Sequence, residues 1–575
     1  MPGGLMALVA YGSQNVILNG NPEFTFFYKV FKRHSHFSKE NITIPIDGPN
    51  ELFWDQPIKI RAKIPRNADL LTDLMFVFQI PDIYSKYNEI SRPNSAQYQF
   101  AWTRWLGANI LQNVAFYVGG TKIQEFDGDY CIAKALLDYP NDKYNKWKNL
   151  VGDTPEINDP KNGYNTGALL SATLSPEYPN VVSFPILSNL NPALLNSNPL
   201  YNIPPNNIVY RPSIYSQTVY VPLPFWFSDS PAKALPLVAL QYHECEIQIT
   251  LKSIQELYTV FDISGYGNVN PLYKTLLPSL DPSIDQLNQF ESVVFGNNPE
   301  FVESYDNLAY INSFLTDPST TPPQLNTFYY NGRFEGTYIY LTDEERKVFA
   351  SSPLQYCIQQ QTTFMYDSVY NRTTFDLQIT NPVTRLIVVP RRSDQIQYRN
   401  TVHNFTNWAF YPNKPNSIDG LEYLLNIQDK GTVYIPSPRE VKLYISLLSA
   451  GNISGLSVPN SQINIIQSMR VLLDGNEIQE EKPVEYFVNV TPFNGLDGGS
   501  QKESQYIPTV EFSLNGPDFQ PSGSVNASRI RNFQLEINPY PLPSNTNYMY
   551  TIKIIAETYN FFVVEGGMGG LKYAL

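Results

Sequence analysis

The chain has 575 residues, 42% of them hydrophobic, 14% aromatic and 16% charged, with a formal net charge of −13. A chain of that sign repels phosphate backbones, which argues against nucleic-acid binding by the protein as a whole. Three widely spaced cysteines (Cys131, Cys245, Cys357) with no CxxC pair imply no disulfide framework and suit a reducing compartment, and no apolar run approaches the ~18 residues that span a bilayer.

A prior of about 150 residues per domain suggests nearly four domains, yet β-sandwiches run to roughly 200–250 as one unit, so two elaborated sandwiches fit. The 40 Tyr and 33 Phe favour pleated, half-buried surfaces and point to an all-β chain. At the start, Leu5–Val9 is too short an apolar stretch, without a basic lead, for a signal peptide. Synthesis in the cytosol is therefore expected. Lys29, Lys32, Arg33 and His34 form a basic run, read either as a solvated strand edge or as a contact to an acidic partner or membrane headgroups.

Strands are expected at 41–47, 57–64 and 72–80, followed by a hairpin at 109–125 and helices around 129–137 and 143–150. A long Asn-, Pro- and Ser-rich stretch runs to about 216. Strands resume at 217–227 and 243–252, a loop-rich insertion covers 256–330, and a last strand is expected at 334–341. Thr342-Asp343-Glu344-Glu345 reads as a capping box opening a helix that ends near Ser351, before Pro353. Beyond it, strands are expected at 356–366, 373–380 and 383–390, a long excursion at 391–440, extended chain near 441–448, a hairpin at 463–480, and strands at 507–514, 529–537 and 549–564.

The two hairpins are copies. NILQNVAFYVGGTKIQE (109–125) and NIIQSMRVLLDGNEIQE (464–480) share Asn, Ile, Gln, Gly and a terminal Ile-Gln-Glu at a constant offset of 355. Each is an apolar run, a two-residue turn (Gly119-Gly120 or Asp474-Gly475) and a second strand; these dipeptides tolerate the positive φ of a tight hairpin. A spacing this large is not a solenoid repeat. It implies two β-domains of one design, each with about eight strands, which suits a jelly roll. Strand spacing alone does not separate that from other sandwiches.

Few motifs carry chemistry. His34 and His36 would share a strand face, but no Cys or carboxylate falls at zinc-like spacing beside them. His243 and Cys245 alternate with Glu244 and Glu246 and read as a bonded His and a packed Cys rather than a catalytic pair. Gly566–Gly570 lacks the Lys-Ser/Thr ending and following helix of a phosphate loop, and is expected to form a flexible C-terminal arm. No GxSxG, HExxH or DxDxDG pattern occurs. Neither a cofactor nor a metal is expected. Sequons stand at Asn41, Asn371, Asn404, Asn452, Asn489 and Asn526, and without a signal peptide they are expected to be unused by the secretory route.

Several segments together resemble the major capsid protein of the nucleocytoplasmic large DNA viruses. They are GGLMALVAYGSQNVILNGNPEFTFFYKVFKRHSHF (3–37), LPLVALQYHECEIQI (235–249), TYIYLTDEERKVFA (337–350), NPVTRLIVV (381–389), SRIRNFQLEI (528–537) and NFFVVEGGMGGLKY (560–573). They follow the family's order along the whole chain. The resemblance implies a double jelly roll: an arm (1–24), a first jelly roll (25–341) with insertions at about 127–216 and 256–330, a linker helix (342–351), a second jelly roll (352–565) with an insertion at about 391–462, and a tail (566–575). It also implies homotrimeric, pseudo-hexagonal capsomers tiling an icosahedral virion shell, with neighbouring capsomers, minor capsid and penton proteins as partners. The arm and the basic run Lys29, Lys32, Arg33 and His34 would face inward, toward minor proteins or an internal membrane. No enzymatic activity is implied. The competing readings are a carbohydrate-binding attachment protein, with aromatic loops such as 210–226 stacking on sugars, and a transient membrane scaffold of the same fold.

Overall fold

The structure, a computed structural model, describes residues 3–29, 31–83, 98–154, 157, 214–262, 274–276, 327–393, 405–407, 463–495, 498–499, 501–516, 520–542 and 548–573. Most of the three expected insertions, the stretch 441–448, His403, Asn404 and Asn452 lie outside the described residues.

Eight strands build the first sandwich: β1 (Phe37–Ile44), β2 (Ile58–Lys63), β3 (Leu70–Ile80), β4 (Leu111–Val118), β5 (Thr121–Phe126), β6 (Gln217–Pro222), β7 (Cys245–Leu251) and β8 (Arg333–Leu341). One sheet runs β1-β8-β3-β6 and the other β2-β7-β4-β5, with all neighbours antiparallel. Period-2 patterning explains why these segments fold as half-buried strands. In β2, Ile58, Ile60 and Ala62 are buried while Lys59, Arg61 and Lys63 are exposed.

The second sandwich repeats this plan with β9 (Leu354–Val369), β10 (Thr373–Asp376), β11 (Pro382–Arg392), β12 (Ile466–Leu473), β13 (Asn476–Pro483), β14 (Thr509–Glu511), β15 (Phe533–Pro539) and β16 (Tyr550–Glu565). Its sheets run β9-β16-β11-β14 and β10-β15-β12-β13. Counted within each sandwich, the orders are identical: first-eighth-third-sixth over second-seventh-fourth-fifth. Both halves are jelly rolls. The repeated hairpin supplies the fourth and fifth strands of each.

Both turns take positive φ at both central residues: 57° and 82° at Gly119 and Gly120, and 51° and 80° at Asp474 and Gly475. That is the backbone of a two-residue turn matched to strand twist. The non-glycine Asp474 is held there because its Oδ1 accepts from Arg531 N (2.9 Å) and Asn532 N (2.8 Å).

Several expectations need correction. The Gly-rich tail is not a free arm. Gly566 and Gly567 (φ 60° and 83°) turn the chain so that β17 (Met568–Leu571) pairs back onto β16. The run 217–227 is not one strand: prolines at 222 and 224 end the ladder, and Trp226–Ser228 forms a 3-10 turn. No strand holds Lys32–His36, because β1 starts at Phe37. The linker helix α5 (Asp343–Ser351) has Thr342 at its N-cap but lacks the side-chain bond of a capping box. Three acidic residues in its first turn stabilise it through the helix dipole, and Arg346 pairs with buried Asp69 at 2.7 Å.

At Gly120 and Gly475 an added Cβ meets nothing within 4 Å, so substitution there tests backbone strain alone. Gly120→Val and Gly475→Val are each expected to cost about 1–3 kcal/mol, and Gly→Asn at either site much less. Melting temperatures and soluble yields of the four variants check this.

Candidate functional site

The chemistry of this fold is concentrated at the seam between its two sandwiches. After β5 the chain enters helix α3 (Gly128–Asp138), capped by Asp127, whose side chain accepts from Tyr130 N at 2.9 Å. Almost every residue of α3 is buried. It lies against the outer face of the β9-β16-β11 sheet, so β11 is buried on both sides from Val383 to Pro390. Leu386 and Val388 point into the second core, whereas Ile387, Val389 and Ile555 join the first.

Charged groups cross this seam at fixed places. Arg385, 1% exposed, forms a fork to Asp138 (2.6 and 2.8 Å) and also donates to Glu557. Tyr130 OH donates to Glu557 Oε1 at 2.7 Å. Arg391 clasps Asp129 at 2.6 and 2.8 Å, and Lys553 reaches both Asp129 and Asp127, the latter at 2.7 Å. Amides complete the contact: Gln360 Nε2 donates to Ile123 O (2.5 Å), and Gln124 Nε2 to Gln361 Oε1 (2.9 Å). At one end Trp226 packs between Tyr356 and Phe562, and His243 Nδ1 lies 3.0 Å from Gly569 O. At the other, Arg104 bridges Asp153 and Glu503. An open cleft of about 770 Å³ lies beside the seam, lined largely by Gln, Asn and Thr.

Burial works against the ionised forms here, and pairing decides the outcome. It raises Asp129, but Arg391 and Lys553 outweigh it and hold the carboxyl well below the usual range. Glu557 is likewise held low, chiefly by Arg385, against its burial. Glu511 on β14 is the exception. Burial, with Glu557 and Asp138 nearby, pushes it up to about 7 despite Arg385, and its Oε1 has no hydrogen-bond partner among the described residues.

The residues singled out from sequence fall in two places. Gly119 sits under the His243 ring, where a Cβ would lie 2.6 Å from the imidazole; Gly120, Asp474 and Gly475 lie at open turns. Lys29, Lys32, Arg33 and His34 are exposed, and among the described residues of that segment, 3–29 and 31–36, none is buried. Short helices α1 (Gly3–Val9) and α2 (Ser13–Asn19) belong to that segment. Among the described residues no cluster of three or more His, Cys, Asp or Glu is arranged to hold a metal ion. Burial pushes the Cys245 thiol up to about 12, which disfavours a thiolate nucleophile. The seam residues escaped the sequence reading, although a signal was present. Arg385 interrupts the apolar run VTRLIVV, and Lys553 and Glu557 interrupt TIKIIAETYNFFVV; a charge inside a strand buried on both faces requires a partner.

Removing Arg385 strands Asp138 and Glu557 in a buried seam. Arg385→Ala is expected to cost about 3–5 kcal/mol, and Arg385→Met/Asp138→Asn/Glu557→Gln less than that single change. Denaturant titration checks both. For Glu511 the folded chain binds its proton more tightly than the unfolded chain, whose carboxyl titrates at the ordinary value of 4.5. Its contribution to stability is therefore full below that value and lost as pH rises through about 7. Glu557 and Asp129 act oppositely, losing theirs as pH falls through their lowered values. Glu511→Gln is expected to gain on the wild type in melting temperature between about pH 5 and about pH 8.

A family model described as "Major capsid protein N-terminus" matches residues 25–285, and one described as "Large eukaryotic DNA virus major capsid protein" matches 345–570. The chain is 25% identical to the major capsid protein of Phaeocystis pouchetii virus and 23% identical to that of Paramecium bursaria Chlorella virus 1, covering 100% of both chains in each case. Its fold is similar to a chain of the PBCV-1 virus capsid (TM-score 0.55, 19% identity, 96% of this chain and 100% of that one). It is also similar to the Faustovirus major capsid protein (TM-score 0.55, 14% identity, 98% and 96% covered). With two jelly rolls of identical strand order and family matches across both, the chain belongs to the major capsid proteins of large eukaryotic DNA viruses, and its role is structural, in the capsid of the virion.

Proposed function

We propose that three copies of this chain close into a pseudo-hexagonal capsomer and that these capsomers tile an icosahedral shell. The carrying observation is the pair of jelly rolls with one strand order, locked by a buried seam. Three such chains present six near-equivalent corners, and closed symmetry satisfies every interface. The division between the units falls at α5, with 25–341 before it and 352–565 after it. The protein acts without enzymatic activity or cofactor, is made in the host cytoplasm, and does not bind the genome directly, in keeping with its charge of −13.

Segment 3–36 is the inward contact in this reading. Phe26, Phe27 and Phe31 are 89%, 98% and 87% exposed beside Lys29, Lys32, Arg33 and His34. Exposed apolar side chains next to cations suit minor capsid or penton proteins, or the headgroup region of an internal membrane. Light scattering of purified protein is expected to give three times the 65.5 kDa chain mass. A chain that stays monomeric even when extracted from intact particles overturns the capsomer reading.

A further inference from the structure

Two lysines near the seam donate to carboxylates, Lys134 to Asp229 at 3.0 Å and Lys553 to Asp127 at 2.7 Å. Burial lowers both ammonium groups, but the carboxylates outweigh it and hold them above the usual lysine value. Lys252, the residue after β7, is different. Its Nζ donates to a carboxamide, Asn109 Oδ1, at 3.0 Å. Burial pulls its ammonium below the usual value; Arg391 and Lys553 add to this, and Asp129 and Glu256 oppose it without prevailing. That shift favours the free amine, the form of lysine that carries a nucleophilic lone pair.

Asn109 closes a short helix, Leu106–Asn109, and is itself 2% exposed. Its Nδ2 donates to Thr103 Oγ1 at 2.9 Å and to Glu256 O at 3.4 Å. The carboxamide is thus fixed through its nitrogen, with an amine against its oxygen, one bond from the carbonyl carbon. A held contact of this kind approximates an attack geometry, and burial keeps out competing water.

The duplicated unit supplies its own comparison. Lys252 N donates to Ile110 O, and Tyr540 N donates to Ile465 O, both at 2.9 Å. Ile465 is the copy of Ile110 and Asn464 the copy of Asn109. The second sandwich therefore keeps the asparagine but has Tyr540 where Lys252 stands, so only the first holds both partners.

We propose that the folded chain joins Lys252 to Asn109 in an isopeptide bond. Neutral Nζ attacks Asn109 Cγ. The Cγ–Nζ bond forms, the Cγ–Nδ2 bond breaks, and one proton passes from Nζ to the departing nitrogen, which leaves as ammonia. No oxidant or reductant is required. Glu256 is the carboxylate assigned to carry that proton: its backbone carbonyl faces Nδ2 and its charge acts on Lys252, whereas Asp129 is engaged by Arg391 and Lys553. The product closes 109–252 into a covalent loop, as a disulfide would, in a chain whose three cysteines are free.

Intact-mass measurement of full-length folded protein, held at mildly alkaline pH, tests this. The wild type is expected to be lighter than its sequence by one ammonia, and its digest to contain a branched peptide joining the segments around 109 and 252. Lys252→Arg keeps its full sequence mass, whereas Asn464→Ala still loses one ammonia. Glu256→Gln slows bond formation by roughly 100-fold or more; a wild-type rate in that variant overturns the assigned proton route. A folded wild type at full sequence mass, with separate 109 and 252 peptides, overturns the bond. So does an ammonia loss that persists in Lys252→Arg, as from a succinimide formed at an asparagine.

Discussion

The fold depends on one constraint: Arg385 is a charge that cannot reach water. A guanidinium 1% exposed between two sandwiches must find carboxylates, and they come from both, Asp138 from α3 and Glu557 from β16. Apolar contact alone tolerates sliding, since the hydrophobic effect is non-directional. A forked, bidentate pair does not. An ion cluster of this kind adds little net stability over an apolar replacement, yet misplacing one partner costs several kcal/mol. Its effect is to make a single docking angle far better than its neighbours. In the capsomer proposed above the two halves would present corners at set angles, and there orientation matters more than total stability.

Much of this architecture was legible in the residues, and the failures have physical causes. The twin hairpins at 109–125 and 464–480 could be read because a two-residue turn needs particular dipeptides and because the copies keep their spacing. Strands such as 57–64 could be read because one face is wet. β11 was legible as a strand, but not as the wall of a seam: an unbroken buried run says that both faces are covered without saying by what. The tail at 566–570 was misread because glycine serves equally in a flexible arm and in a tight turn, and only the pairing of Met568–Leu571 with β16 decides between them. The 217–227 stretch misled because its apolar content is right for a strand while its prolines are not.

The two copies of the hairpin also differ in a way that composition cannot show. The first turn is built into the seam: Gly119 passes under the His243 ring with no room for a Cβ, and His243 touches Gly569 of the second sandwich. The second turn closes on its own sandwich, with Asp474 gripping the amides of Arg531 and Asn532. At this position the first copy needs a residue with no side chain so that a neighbour fits, and the second uses a side chain to hold itself. One turn is thus shaped by what it meets inside the chain. The other is self-sufficient, and the strand after it, β13, has no buried residue. The asymmetry of the repeat follows from a duplicated unit whose copies share a topology but not a set of neighbours.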